Sequence, residues 1–202
     1  MKTTILTIAL ALTTLVGIST TASAATGSAT EVSTVLTDVS QINRIEVRGN
    51  VQLYLSDGSV DQVKVYNSYY AESALVQDEN GVLRITSYSA QTLKVWVTAN
   101  DLRKLEVYDN ASVASFGKLS VIDLDVKLFN RASAKLDVDA YAATVTLSDR
   151  ATAELSGSAD RADLVYEQSA TLNAASFAAT HLVKTAKTNR ICSHNAPEFA
   201  AL

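Results

Sequence analysis

From Leu105 to Cys192 the chain says nearly the same thing five times. The phrases in register are Asp109-Asn110-Ala111-Ser112-Val113, Asn130-Arg131-Ala132-Ser133-Ala134, Asp149-Arg150-Ala151-Thr152-Ala153 and Gln168-Ser169-Ala170-Thr171-Leu172. A degenerate fifth is Lys187-Thr188-Asn189-Arg190-Ile191. The steps between them are 21, 19, 19 and 19 residues. An alternating apolar strand ends before each phrase: Leu105/Val107, Val126/Leu128, Val145/Leu147, Leu164/Tyr166 and Val183/Thr185. A fixed period near 20 residues is the mark of a solenoid, in which no repeat can bury its apolar face alone.

The residue types choose among solenoids. Runs such as Ala143-Thr144-Val145-Thr146-Leu147 are rich in Val, Leu and Thr and alternate with period two, which is a strand pattern. Strands always met in the same direction pair in parallel, about 4.8 Å apart, and such crossovers are nearly always right-handed. The expected fold class is therefore all-β: a short right-handed parallel β-helix of 19–21 residues per coil, with a β-rich N-terminal cap. Five coils would stand about 24 Å high. The columns 105/126/145/164/183 and 107/128/147/166/185 should line its core.

The segments outside the repeats divide as follows. Met1–Ala24 reads as a signal peptide: Lys2, an apolar run Ile5–Leu12, and Ala22-Ser23-Ala24 as the cleavage site. No Cys follows that site, so no lipid anchor is expected, and the destination is periplasm, cell surface or medium. Residues 25–40 read as a linker or entry arm, 41–104 as the N-terminal β-rich part, 105–192 as the coils and 193–202 as a tail. A net charge of −4 argues against nucleic acid or an anionic membrane as partner. Cys192 is the only cysteine, so no intrachain disulfide is available to hold the fold.

In the N-terminal part, Ile45, Val47, Val51, Leu53 and Leu55 alternate through Gly49. Further strands start at Val63/Val65, Leu83/Ile85 and Leu93/Val95/Val97, with a turn at Asn80-Gly81. This part should cover the first coil, whose parallel edge would otherwise be exposed.

The opening strand Ile42–Leu53, the run Gly81-Val82-Leu83-Arg84-Ile85, the run Leu93-Lys94-Val95-Trp96-Val97-Thr98 and the coils that follow resemble the GIN domain family. That family comprises adhesin-head domains of exported bacterial proteins, and the resemblance covers roughly residues 41–192. Its usual Gly-Ser-Gly turns are replaced here by Asp-Asn-Ala, Asn-Arg-Ala, Asp-Arg-Ala and Gln-Ser-Ala. Asp and Asn can take the left-handed backbone that Gly would supply. The resemblance implies an adhesin-like role and carries no catalytic residue with it.

The residues themselves point away from catalysis. There is no phosphate loop, nucleophile elbow or His-Glu-x-x-His. His181, Cys192 and His194 lack the further ligands of a zinc site. Asp123/Asp125 and Asp137/Asp139 are spaced to share a face, but the glycine pattern of calcium-binding β-rolls is missing. No enzyme activity, cofactor or metal is expected.

Two surfaces carry the binding expectation. Arg131 and Arg150 fall on neighbouring coils, where two guanidinium forks could take a carboxylate or sulfate, or could form a self-neutralising ladder with Asp109 and Asp149. Tyr66, Asn67, Tyr69 and Tyr70 form an aromatic-polar loop of the kind that makes adaptable contacts, or a cover over the sheet end. The expected function is an adhesin-like module binding a glycan or a surface protein. A self-associating envelope scaffold is the alternative, and a polysaccharide-active enzyme comes last.

Overall fold

The computed structural model describes residues 33–36, 41–66 and 74–188. They form thirteen strands and no helix. These are β1 (Ser33–Leu36), β2 (Arg44–Gly49), β3 (Val51–Asp57), β4 (Gln62–Tyr66), β5 (Ala74–Glu79), β6 (Val82–Ser87) and β7 (Leu93–Ala99). After them come β8 (Lys104–Val107), β9 (Ser112–Ser115), β10 (Leu119–Leu128), β11 (Ser133–Leu147), β12 (Thr152–Glu167) and β13 (Thr171–Lys187).

The expected all-β fold is present, but the sheet is mixed. Parallel pairing runs β6–β2–β8–β10 along one line and β7–β3–β9–β11 along another. It continues through β10–β11–β12–β13. Antiparallel strands close the N-terminal side: β5 folds back on β6, β4 lies on β7, and β1 lies on β4. The parallel lines thus reach into the N-terminal strands. Gly49, at φ 83°, makes the corner that sends β2 into β3.

Period-two alternation sets which side chains go inside. Leu105, Val126, Val145 and Leu164 pair in succession and are all buried, as are Val107, Leu128 and Leu147. Each such side chain contributes about 1.5–3 kcal/mol of burial. The fifth expected member of each column, Val183 and Thr185, does not line the core. Leu164 pairs with Lys184 and Tyr166 with Ala186, because a register shift between Glu154 and Ser156 adds one residue to β13. Val183 is therefore turned outward and is 54% exposed. Residues 181–188 are all exposed, and Lys184 stands at the end of a core column. A charge at such a position discourages another strand from adding to the edge.

The corners between repeats follow from the phrase itself. Asp109, Asn130 and Asp149 hold φ of 62°, 60° and 59°. The amide N–H groups of Ala111, Ala132 and Ala151 donate to the carbonyls of Tyr108, Phe129 and Ser148, closing each turn. The three alanines are completely buried, so a larger side chain has no room in that column.

Candidate functional site

The outward positions of β3, β4 and β7 build an aromatic platform. Leu53, Leu55, Val63, Val65, Val95 and Val97 point into the core, which leaves Tyr54, Lys64, Tyr66, Lys94 and Trp96 on the outer face. Register sets Trp96 between Tyr54 and Lys64, and Tyr66 opposite Lys94. The Tyr54 and Trp96 rings stack with centroids 5.3 Å apart, inclined by 26°. Phe116 meets Trp96 edge-on at 5.0 Å. The indole Nε1–H donates to Ser56 Oγ at 3.4 Å, and Ser56 Oγ lies 2.9 Å from Thr98 Oγ1. That tether fixes the ring plane.

Trp96 and Tyr66 form a ridge between two hollows. One, of about 470 Å³, is lined by Tyr54, Tyr66, Lys94, Trp96 and Phe116. The other, of about 300 Å³, adds Gln62, Lys64 and Thr98. Phe116 is 66% exposed. Contiguous aromatic surface left open to water and edged by lysines has the chemistry of a contact site, since its desolvation is favourable once a partner covers it.

The turn ladder is the second feature. Arg131 and Arg150 line one hollow of about 300 Å³ with Asn130, Asp149 and Ser169. The carboxylates of the ladder accept hydrogen bonds from neighbouring amides. Asp109 Oδ2 accepts the Gly49 N–H at 3.1 Å and Asp109 Oδ1 accepts Asn130 Nδ2 at 3.0 Å. Asp149 Oδ2 accepts the Asn130 N–H at 3.0 Å, and Glu167 Oε2 accepts the Asp149 N–H at 2.9 Å. Neither guanidinium makes an ion pair among the described residues.

Of the residues singled out in the sequence, Tyr66 lies at the platform. Asn67, Tyr69 and Tyr70 lie outside the described residues, as do Cys192 and His194. Arg131 and Arg150 share their own hollow. Tyr54, Trp96 and Phe116 are not among the residues the sequence singles out, although alternation alone puts Tyr54 and Trp96 on outward positions. His181 is an exposed residue of β13. Among the described residues no group of three His, Cys, Asp or Glu is placed to hold a metal. Asp125 instead meets Lys127 at 3.3 Å, and Asp139 accepts a bond from Ser158 Oγ at 3.0 Å.

A charged cluster on the outer face of β2 and β8 is structural. Arg44 Nη2 lies 2.7 Å from Glu46 and 2.6 Å from Glu106, and Lys104 Nζ lies 3.0 Å from Glu106. Burial pushes the Glu106 carboxyl up, but hydrogen bonds from Lys104 and Arg44 outweigh it and hold the group below its ordinary value. Beside it, Arg48 lies over the Tyr108 ring at 4.0 Å, and Tyr108 stacks on Phe129 at 4.7 Å. Burial, then the Glu106 charge, raise the Tyr108 hydroxyl.

The sequence matches a family profile described as "Putative auto-transporter adhesin, head GIN domain" over residues 41–189. The chain is a GIN domain. No protein among the curated sequences matches it. Solved structures with a similar fold include proteins from Parabacteroides species. A "Putative lipid binding protein" of Parabacteroides distasonis has a TM-score of 0.59 at 13% identity, covering 77% of this chain and 77% of that one. A "putative adhesin" of the same organism has a TM-score of 0.59 at 15% identity, with coverages of 78% and 79%. A third, a "putative adhesin" from Parabacteroides merdae, has a TM-score of 0.53 at 15% identity, with coverages of 78% and 77%. At such identities the likeness speaks for the fold. The GIN domain here carries its aromatic platform at the N-terminal side of the stack and its arginine pair on later repeats.

Proposed function

We propose that this GIN domain is an exported, non-catalytic, adhesin-like module that binds a glycan on its aromatic platform. The observation that carries the reading is the open Tyr54–Trp96–Phe116 arrangement with Tyr66 beside it. Flat rings presented at fixed inclinations match the C–H faces of pyranose rings, and the flanking Lys and Gln side chains supply hydrogen bonds to hydroxyls. Stiff strands hold these rings, so little conformational entropy is lost on binding.

The export reading rests on the leader Met1–Ala24; among the described residues no helix is long and apolar enough to cross a membrane. The reading of the stack as a short right-handed β-helix rests on parallel pairing between residues 19–21 apart. Self-association as an envelope scaffold is the second reading, and the exposed edge of β13 favours it. Lys184 and Lys187 on that edge weigh against stacking. An array of bacterial and host glycans probed with wild type and Trp96→Ala tests the proposal. Wild-type binding lost in the variant supports it; a wild type that binds no glycan sinks it.

A further inference from the structure

Tyr66, Lys94, Gln52, Ser112, Ser133 and Thr152 form one continuous outward row. Tyr66 pairs with Lys94, Lys94 with Gln52, Gln52 with Ser112, Ser112 with Ser133 and Ser133 with Thr152. The row starts at the aromatic platform and crosses three strand spacings, about 14 Å, between Lys94 and Ser133. It is uncharged after Lys94. Arg131 and Arg150 lie two residues before Ser133 and Thr152, so the guanidinium pair stands at the far end of the row.

We infer that the glycan is acidic and lies along this row, with sugar rings over Trp96 and a carboxylate or sulfate group held by Arg131 and Arg150. The inference rests on the platform reading for one end of the path and on the arginine pair alone for the other. Arg131 and Arg150 sit on adjacent repeats about 4.8 Å apart, and a guanidinium fork donates two parallel hydrogen bonds to a planar or tetrahedral oxyanion. Asp109 and Asp149 keep their charge, but their carboxylates accept backbone amides and neither is ion-paired to Arg131 or Arg150 among the described residues. The next outward column on the same strands is already balanced, since Lys135 Nζ pairs with Glu154 at 3.1 Å. Two guanidinium groups against the one carboxylate of Asp149 leave the lining of that hollow net positive, on a chain whose net charge is −4. Between the two ends, Gln52, Ser112 and Ser133 present amide and hydroxyl groups suited to sugar hydroxyls.

The test is calorimetric titration with tetragalacturonate, a chondroitin sulfate tetrasaccharide and neutral cellotetraose. The carboxylated and sulfated probes distinguish the two sources of negative charge. At low ionic strength at least one acidic probe should bind more tightly than the neutral one by about tenfold, the effect of one charge-assisted hydrogen bond. Arg131→Gln with Arg150→Gln should remove that advantage, as should added salt. Arg131→Lys with Arg150→Lys should keep part of it, because the charge remains and the fork is lost. Equal binding of acidic and neutral probes, or unchanged acidic binding in the Gln variant, overturns this inference and leaves the platform reading standing. Acidic binding that Trp96→Ala does not weaken overturns the platform reading and the continuous path with it.

Discussion

Arg44 Nη2 lies 2.6 Å from Glu106 Oε2, on a carboxylate residue that is only 6% exposed. The pair joins β2 to β8, where the N-terminal strands meet the repeats, and Lys104 completes it at 3.0 Å. Because the folded carboxyl titrates below its unfolded value, it stabilises the fold above the unfolded pKa of about 4.3. That contribution disappears as pH falls through the folded value. Urea melts of wild type and Glu106→Gln should therefore differ by a constant amount from neutral pH to about pH 5 and converge in stronger acid. A difference that does not change with pH contradicts this assignment.

Ala151 is completely buried between Ala132 and the next repeat, whereas Thr144 faces outward. Replacing Ala151 by Leu should overpack the corner column and cost about 1–3 kcal/mol. Thr144→Leu should stay within about 0.5 kcal/mol of wild type. Chemical denaturation of both variants reads the difference.

Gly157 holds φ 99°, and a Cβ there would stand 2.1 Å from the Val138 carbonyl oxygen. Gly117 has a similar φ of 81° with nothing within 4 Å. Gly157→Ala should thus cost clearly more than about 1 kcal/mol and more than Gly117→Ala, which bears backbone strain alone. Equal melting temperatures for the two variants would contradict the close approach of β12 to β11 at this point.

The residues differ in how far ahead they can be read. Leu105, Val126, Val145 and Leu164 announce their column because alternation and a near-constant step coincide. Arg131 and Arg150 share a hollow for the same reason. Val183 breaks the rule, since one inserted residue in β13 turns every later side chain to the other face, and a period alone carries no sign of a bulge. Tyr54 and Trp96 are 42 residues apart in the chain, by their numbers in the sequence. Their contact depends on β3 pairing with β7, a long-range choice that neither strand's pattern specifies. Tyr66 stands out in the sequence through its aromatic and polar neighbours, yet its place beside Lys94 follows from an antiparallel return by β4.

Trp96 is the only tryptophan in the chain, so its emission reports on the platform and on nothing else. The most direct test is a fluorescence titration of the full protein with whichever tetrasaccharide calorimetry shows to bind, with acrylamide quenching measured at each end point. A sugar ring seated on the indole should shift the emission to shorter wavelength and reduce quenching, with the same midpoint as the calorimetric curve. Saturating calorimetric binding with unchanged emission and undiminished quenching would place the ligand elsewhere and contradict the account.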